Sequence, residues 1–162
     1  MVASTLARLI GSHEAETQAD LGRLTALART TVAAALDVLE RSGVIRCVGS
    51  RPTPGRGRPA DRLGLNPRFG LVLVADLGAH AGRLSIHDLG EDLLAARNVR
   101  LAVTDGPISV LARVTADFRA MLAEVQASTR PLVFVVGLPG PMDTRRGMPV
   151  KPPIMPGWDA CG

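Results

Sequence analysis

"TQADLGRLTALARTTVAAALDVLERSG", residues 17–43, reads as two helices joined by a tight turn. Thr17 can cap the first of the pair, with Asp20 at the capping-box position that usually holds Glu or Gln. Leu21 and Leu24 give that helix an apolar edge. In the longer helix, Val32, Leu36 and Leu39 recur at i, i+4 and i+7, and Gly43 stands where a helix stops. Gly22, Ala26 and Val32 hold the places that a helix-turn-helix reserves for a small residue, a turn residue and an apolar anchor. Ala at the turn is a departure, because a residue forced to positive φ costs about 1 kcal/mol more as Ala than as Gly. Ala28 offers the longer helix no side-chain cap.

Upstream, Leu6, Leu9 and Ile10 follow helical spacing and predict a further short helix. Downstream, "VIRCV" and "DRLGL" are short apolar stretches on either side of a loop rich in Arg, Gly and Pro. The segment "SRPTPGRGRPADRLGL" (50–65) holds four Arg, three Gly and three Pro. Two strands joined by that loop make a wing, so residues 1–68 read as a winged helix-turn-helix domain. Charge is confined to it: residues 1–68 carry ten Arg against six acidic residues, whereas 69–162 carry nine basic against nine acidic. A basic stripe limited to one domain is the footprint expected of a nucleic-acid binder, and the alternative is a solvated face.

On the DNA-binding reading, the third helix enters a major groove with Arg29, Thr30 and Thr31 on its first turn. Arg can bond guanine O6 and N7, and Thr a base edge, a phosphate or the thymine methyl. The wing supplies Arg51, Arg56, Gly57 and Arg58. "GRGRP" (55–59) is similar to the core of an AT-hook, in which Gly lets the backbone approach the floor of an A·T-rich minor groove. The alternative for this stretch is a linker.

The rest of the composition narrows the class. Of 162 residues, 46% are hydrophobic and only 2% aromatic, enough for one core or two small ones built from aliphatic side chains. No apolar run reaches the roughly 20 residues of a membrane span, and the N-terminus has no signal-peptide core, so a cytoplasmic protein is expected. Cys47 and Cys161 read as free thiols, and His13, His80 and His87 form no metal-ligand spacing with them.

Beyond residue 68 the pattern changes. Strands are predicted at 71–76, 83–88 and 93–103, paired antiparallel in order, with a turn at "LGED". Ile108, Leu111, Thr115, Phe118, Leu122 and Val125 mark one face of a long helix. "PLVFVVGLPG" (131–140) follows as a strand without polar interruption, expected to be parallel and buried. The fold class is therefore α/β: a winged helix-turn-helix followed, over 69–162, by the βββαβ opening of an actin-like, ribonuclease-H-like lobe.

With these residues in place, the chain resembles the ROK family of transcription regulators and sugar kinases. The resemblance rests on the helix-turn-helix, "GRGRPADRLGLNPRFGLVLVADLG" (55–78), "DLGED" (88–92), "GLPGPMD" (137–143), Gly147 and "PPIMPGWD" (152–159). It implies a DNA-binding repressor or activator of sugar-utilisation genes, with a sugar-sensing domain descended from a kinase and assembly as a homodimer or larger. Double-stranded DNA is then the expected partner. Kinase members carry Asp-x-Gly-x-Thr at the end of the first strand of this lobe. Here Asp76 and Gly78 match, but His80 replaces the Thr, and Ala81 and Gly82 replace a following Lys. No ATP, other cofactor, metal or catalytic residue is expected, and the chain is not read as an enzyme.

Ile154 stands where sugar-binding members place Asn, which leaves Asp143 and Trp158 as candidate effector contacts. Trp158 reads as a packing anchor before a pocket residue, and Asp143 as a residue orienting its loop. Family members continue well past the last residue here, so the lobe is expected to be an incomplete, truncated one, and a sugar effector only where the domain is whole. The alternatives are a non-functional or kinase-like fragment of that family and an interaction partner of a full-length regulator. The first segment is expected to fold better than the second.

Overall fold

The computed structural model describes residues 2–52, 59–125, 129–143, 145–150 and 153–158. The chain divides into two compact units, Met1–Phe69 and Gly70–Gly162.

The first unit is three helices and a two-stranded hairpin. Helix α1 (Val2–Gly11) turns Leu6, Leu9 and Ile10 inward, as their spacing requires. Helix α2 (Gln18–Thr25) buries Leu21, but Leu24 is 47% exposed, against the apolar edge expected from sequence. The helix stops one residue later and the chain turns away, so Leu24 stays half exposed; Leu27, beyond the turn, packs against the core instead. Helix α3 (Arg29–Arg41) buries Val32, Ala35, Leu36 and Leu39. It ends in a Schellman motif: Val44 N–H donates to Leu39 O, and Gly43 N–H to Glu40 O. Gly43 lies at φ +78°, a conformation an L side chain resists.

Strands β1 (Ile45–Arg51) and β2 (Ala60–Leu65) pair antiparallel, from Ile45 opposite Leu65 to Arg51 opposite Ala60, with a bulge between Cys47 and Gly49. Ile45 and Leu63 reach from the hairpin into the helical core.

The second unit is a four-stranded mixed sheet under one helix. Its strands are β3 (Leu71–Leu77), β4 (Ala81–Asp88), β5 (Leu93–Arg100) and β6 (Pro131–Gly137), in spatial order β5-β4-β3-β6. The first three pair antiparallel in chain order, and β6 runs parallel to β3. Leu71, Leu73, Ala75 and Leu77 alternate inward along β3, and Leu84 and Ile86 lie beside them on β4. The expected third strand is shorter than its apolar pattern: β5 ends at Arg100, and buried Val103 belongs to a 3-10 turn.

Helix α4 (Pro107–Glu124) covers this core with Pro107, Val110, Val114, Phe118 and Met121. That is one stripe over from the expected face. Ile108 is 83% exposed and Thr115 is also exposed, while Leu111, Leu122 and Val125 only flank the core. Apolar residues fill two adjacent stripes of this helix, and periodicity alone does not rank them.

The burial expected for β6 is also corrected. The strand is parallel, but it lies at the edge of the sheet, and Leu132, Val133, Phe134 and Val135 are 37–48% exposed. Phe134 still meets Phe118 of α4 edge to face, at 5.5 Å between ring centres. A small hairpin, β7 (Met142–Asp143) with β8 (Met148–Pro149), follows.

Candidate functional site

In the first unit local contacts shape α2, α3 and the turn between them. Thr17, in extended conformation, accepts the Asp20 backbone N–H at 3.2 Å and donates its hydroxyl to the Asp20 carboxylate at 2.8 Å. That hydroxyl holds the Asp20 pKa below its ordinary value. Partial burial opposes the effect, and the Arg23 hydrogen bond, the Glu16 backbone and the Arg51 charge reinforce it. Ala26 makes the turn at φ 54° and ψ 21°, in the left-handed region. Ala28 precedes α3 without a side-chain cap, as its sequence dictates. The Gln18 side chain instead reaches forward to the Arg29 carbonyl at 3.4 Å, joining the starts of the two helices.

Arg29, Thr30 and Thr31 are all exposed on the first turn of α3. Two turns further along, Asp37 and Arg41 pair with each other at 2.7 Å.

Both hairpin strands are tied to the segment that begins α2. Arg62 of β2 contacts the Glu16 carboxylate at 2.8 Å, and Leu63 N–H donates to the Glu16 carbonyl at 2.7 Å. Arg51, at the end of β1, lies 3.7 Å from the Asp20 carboxylate. Sequence reading missed Glu16, Gln18 and Arg62; each acts through a contact distant in the chain, and local spacing carries no trace of it. A cleft of about 740 Å³ opens between α2, α3 and the hairpin, lined in part by Gln18, Arg29, Cys47 and Asp61. Cys47 is an exposed free thiol, and Cys161 lies outside the described residues. Arg56, Gly57 and Arg58 also lie outside the described residues.

In the second unit, Asp76 and Gly78 line an open cleft of about 620 Å³ together with Arg83, Asn98, Leu138 and Pro139. Asp76 stands opposite Arg83 on β4 and opposite Gly137 on β6. A Cβ at Gly137 would come within 3.1 Å of the Asp76 Oδ1, so the glycine makes room for this carboxylate. His80 is exposed on the β3–β4 turn.

Asp143 and Trp158 do not line that cleft. The Asp143 carboxylate accepts the backbone N–H groups of Arg145 and Arg146 at 2.9 and 3.1 Å, which fixes its own turn. Trp158 is 3% exposed in the core, and its indole N–H donates to Val103 O at 2.9 Å. Among the described residues no cluster of His, Cys, Asp and Glu is placed to hold a metal ion, and no helix is long and apolar enough to cross a membrane.

No family model matches the chain. No curated protein matches it either. Among solved structures, it is similar to the crystal structure of a ROK family transcriptional regulator, a homologue of the E. coli MLC protein. The TM-score is 0.68 at 22% identity, over 94% of this chain and 39% of that one. That likeness shows the fold. The mixed α/β architecture is similar to that of a ROK regulator along nearly the whole chain, which spans well under half of the neighbour's length.

Proposed function

We propose that the first unit is a winged helix-turn-helix that binds double-stranded DNA with sequence preference, in a transcription regulator of the ROK type. The observation that carries this reading is the exposed Arg29-Thr30-Thr31 turn at the start of α3, held by a capped α2 and flanked by a docked, arginine-bearing hairpin. Helix α3 reads a major groove, where Arg29 takes a guanine edge and Thr30 and Thr31 take base or phosphate contacts. The hairpin loop, through Arg56, Gly57 and Arg58, enters an A·T-rich minor groove beside it. A second copy of the chain would let the pair read a palindromic site.

The second unit is proposed as a sensor scaffold of kinase ancestry rather than an enzyme. Asp76 and Gly78 stand at the end of β3 where the kinase motif has its Asp and Gly, but exposed His80 supplies no Thr hydroxyl there. Ile154, 44% exposed, has no hydrogen-bonding side chain for a sugar hydroxyl, so in this reading the effector differs or is absent. Sugar-dependent ATP turnover by the purified chain would overturn this assignment. A reducing cytoplasm is the proposed compartment.

Fluorescence anisotropy with labelled duplexes tests the DNA reading. Log affinity should fall linearly with log salt. Arg29→Ala should lose about 1–3 kcal/mol of base discrimination while keeping non-specific binding. The double variant Arg56→Ala/Arg58→Ala should weaken A·T-flanked sites selectively. No binding to any duplex at about 50 mM salt contradicts the proposal.

A further inference from the structure

Asp20 is the meeting point of α2 and the hairpin. Its Oδ2 accepts the Thr17 hydroxyl at 2.8 Å and faces Arg51 of β1 at 3.7 Å; its Oδ1 accepts from Arg23 at 3.2 Å. The side chain is 19% exposed, whereas those of Arg23 and Arg51 are 72% and 59% exposed. One carboxylate in the first turn of α2 thus restrains two solvent-facing guanidiniums beside the proposed DNA surface, Arg23 from the last turn of that helix and Arg51 from the end of β1. Arginines on such a surface, if unrestrained, add phosphate contacts that carry affinity without sequence information.

We propose that Asp20 is a positioning residue that favours specific over indiscriminate DNA binding: it holds Arg23 and Arg51 on the protein and keeps the hairpin seated against α2. The inference rests on the DNA-binding reading above. It changes the role of Arg51 from a direct groove contact to a guanidinium engaged by Asp20. Exposed ion pairs are weak, so a correctly placed phosphate can still displace the carboxylate in a specific complex.

The test uses the full chain with Asp20→Asn, which keeps the side-chain volume and removes the charge. Affinity for a random-sequence duplex is measured from about 50 to about 200 mM salt, beside affinity for a selected site. Asp20→Asn is expected to bind random duplex about three- to tenfold tighter at the low end. Its log–log salt slope should steepen by about 1–2, since each new phosphate contact adds about 0.9. The ratio of specific to random affinity falls correspondingly. Adding Arg51→Gln should return part of the slope, whereas simple loss of the α2 cap would weaken binding and would not be rescued. Thr17→Ala, which removes the cap but keeps the Asp20 charge, should leave the slope unchanged.

Should Asp20→Asn fail to fold, Arg23→Gln and Arg51→Gln singly in the wild-type background serve instead. Each is expected to flatten the slope by less than about 0.5, because neither guanidinium contacts phosphate while Asp20 holds it. An Asp20→Asn slope equal to or shallower than wild type, or a single Arg variant that loses a full contact, overturns the inference alone. A wild-type chain that binds no duplex overturns the DNA reading and this inference with it.

Discussion

Arg62 meets the Glu16 carboxylate at 2.8 Å across 46 residues of sequence, and its neighbour Leu63 donates a backbone hydrogen bond to the Glu16 carbonyl at 2.7 Å. This double contact fixes β2 to the approach to α2. Both side chains are partly exposed, so the ion pair itself contributes at most about 1 kcal/mol. Arg62→Ala also removes the packed aliphatic stem and should cost about 0.5–1.5 kcal/mol. Urea denaturation of the full chain, followed by circular dichroism, measures it; a change below 0.3 kcal/mol (roughly the scatter of such data) would mean that Leu63 alone seats the strand.

Ala26 turns the chain between α2 and α3 at φ 54°. Ala26→Gly relieves that conformation and should stabilise the first unit by roughly 0.5–1 kcal/mol, despite the greater freedom of the unfolded chain. Ala26→Val, β-branched at the same φ, should destabilise it by more than about 1 kcal/mol. Thermal melts of the two variants beside the wild type show the opposite signs.

The inward stripe of α4 is tested by a pair of truncations. Phe118 is buried against the sheet and meets Phe134, so Phe118→Ala should cost about 3–5 kcal/mol. Ile108 is 83% exposed, and Ile108→Ala should stay within about 0.5 kcal/mol of wild type. Equal losses at the two positions would place the helix one stripe round from where it lies.

Asp20 gives the first unit an acid-dependent contribution. Its pKa is lower folded than unfolded, so the native state favours the charged carboxylate. The stabilisation is fully present above the ordinary value of 3.8 and is lost as pH falls through the lower folded value. The stability difference between wild type and Asp20→Asn should therefore be constant from neutral pH down to about 5 and shrink below about 4. Chemical denaturation at a series of pH values reads it directly.

The helix pair was legible in the sequence because its determinants are local: the Thr17 cap, the Val32-Leu36-Leu39 stripe and the glycine that stops α3 are all set by neighbours within one or two turns. The antiparallel order of β3, β4 and β5 was legible from their turns. Burial was less so. The apolar run of β6 looks the same at the edge of a sheet as in its middle, and only the strand order distinguishes them. On α4 two apolar stripes competed, and the sheet beneath chose Val110, Val114 and Met121 over Ile108 and Thr115.

In the candidate site, the exposed first turn of α3 could be placed from spacing, whereas the carboxylates that hold Arg51 and Arg62 could not. Those ion pairs exist only once the hairpin has docked. Trp158 shows the same limit. Its residue type suits either a pocket or a core, and the hydrogen bond to Val103 puts it in the core.

Selection of duplexes from a randomised pool by the 162-residue chain, sequenced after several rounds beside Arg29→Ala, decides whether the first unit reads DNA. The expected result is one enriched motif flanked by A·T-rich steps for the wild type, degraded at a G·C position by Arg29→Ala. Enrichment of no motif by the wild type, or of an identical motif by both proteins, contradicts it.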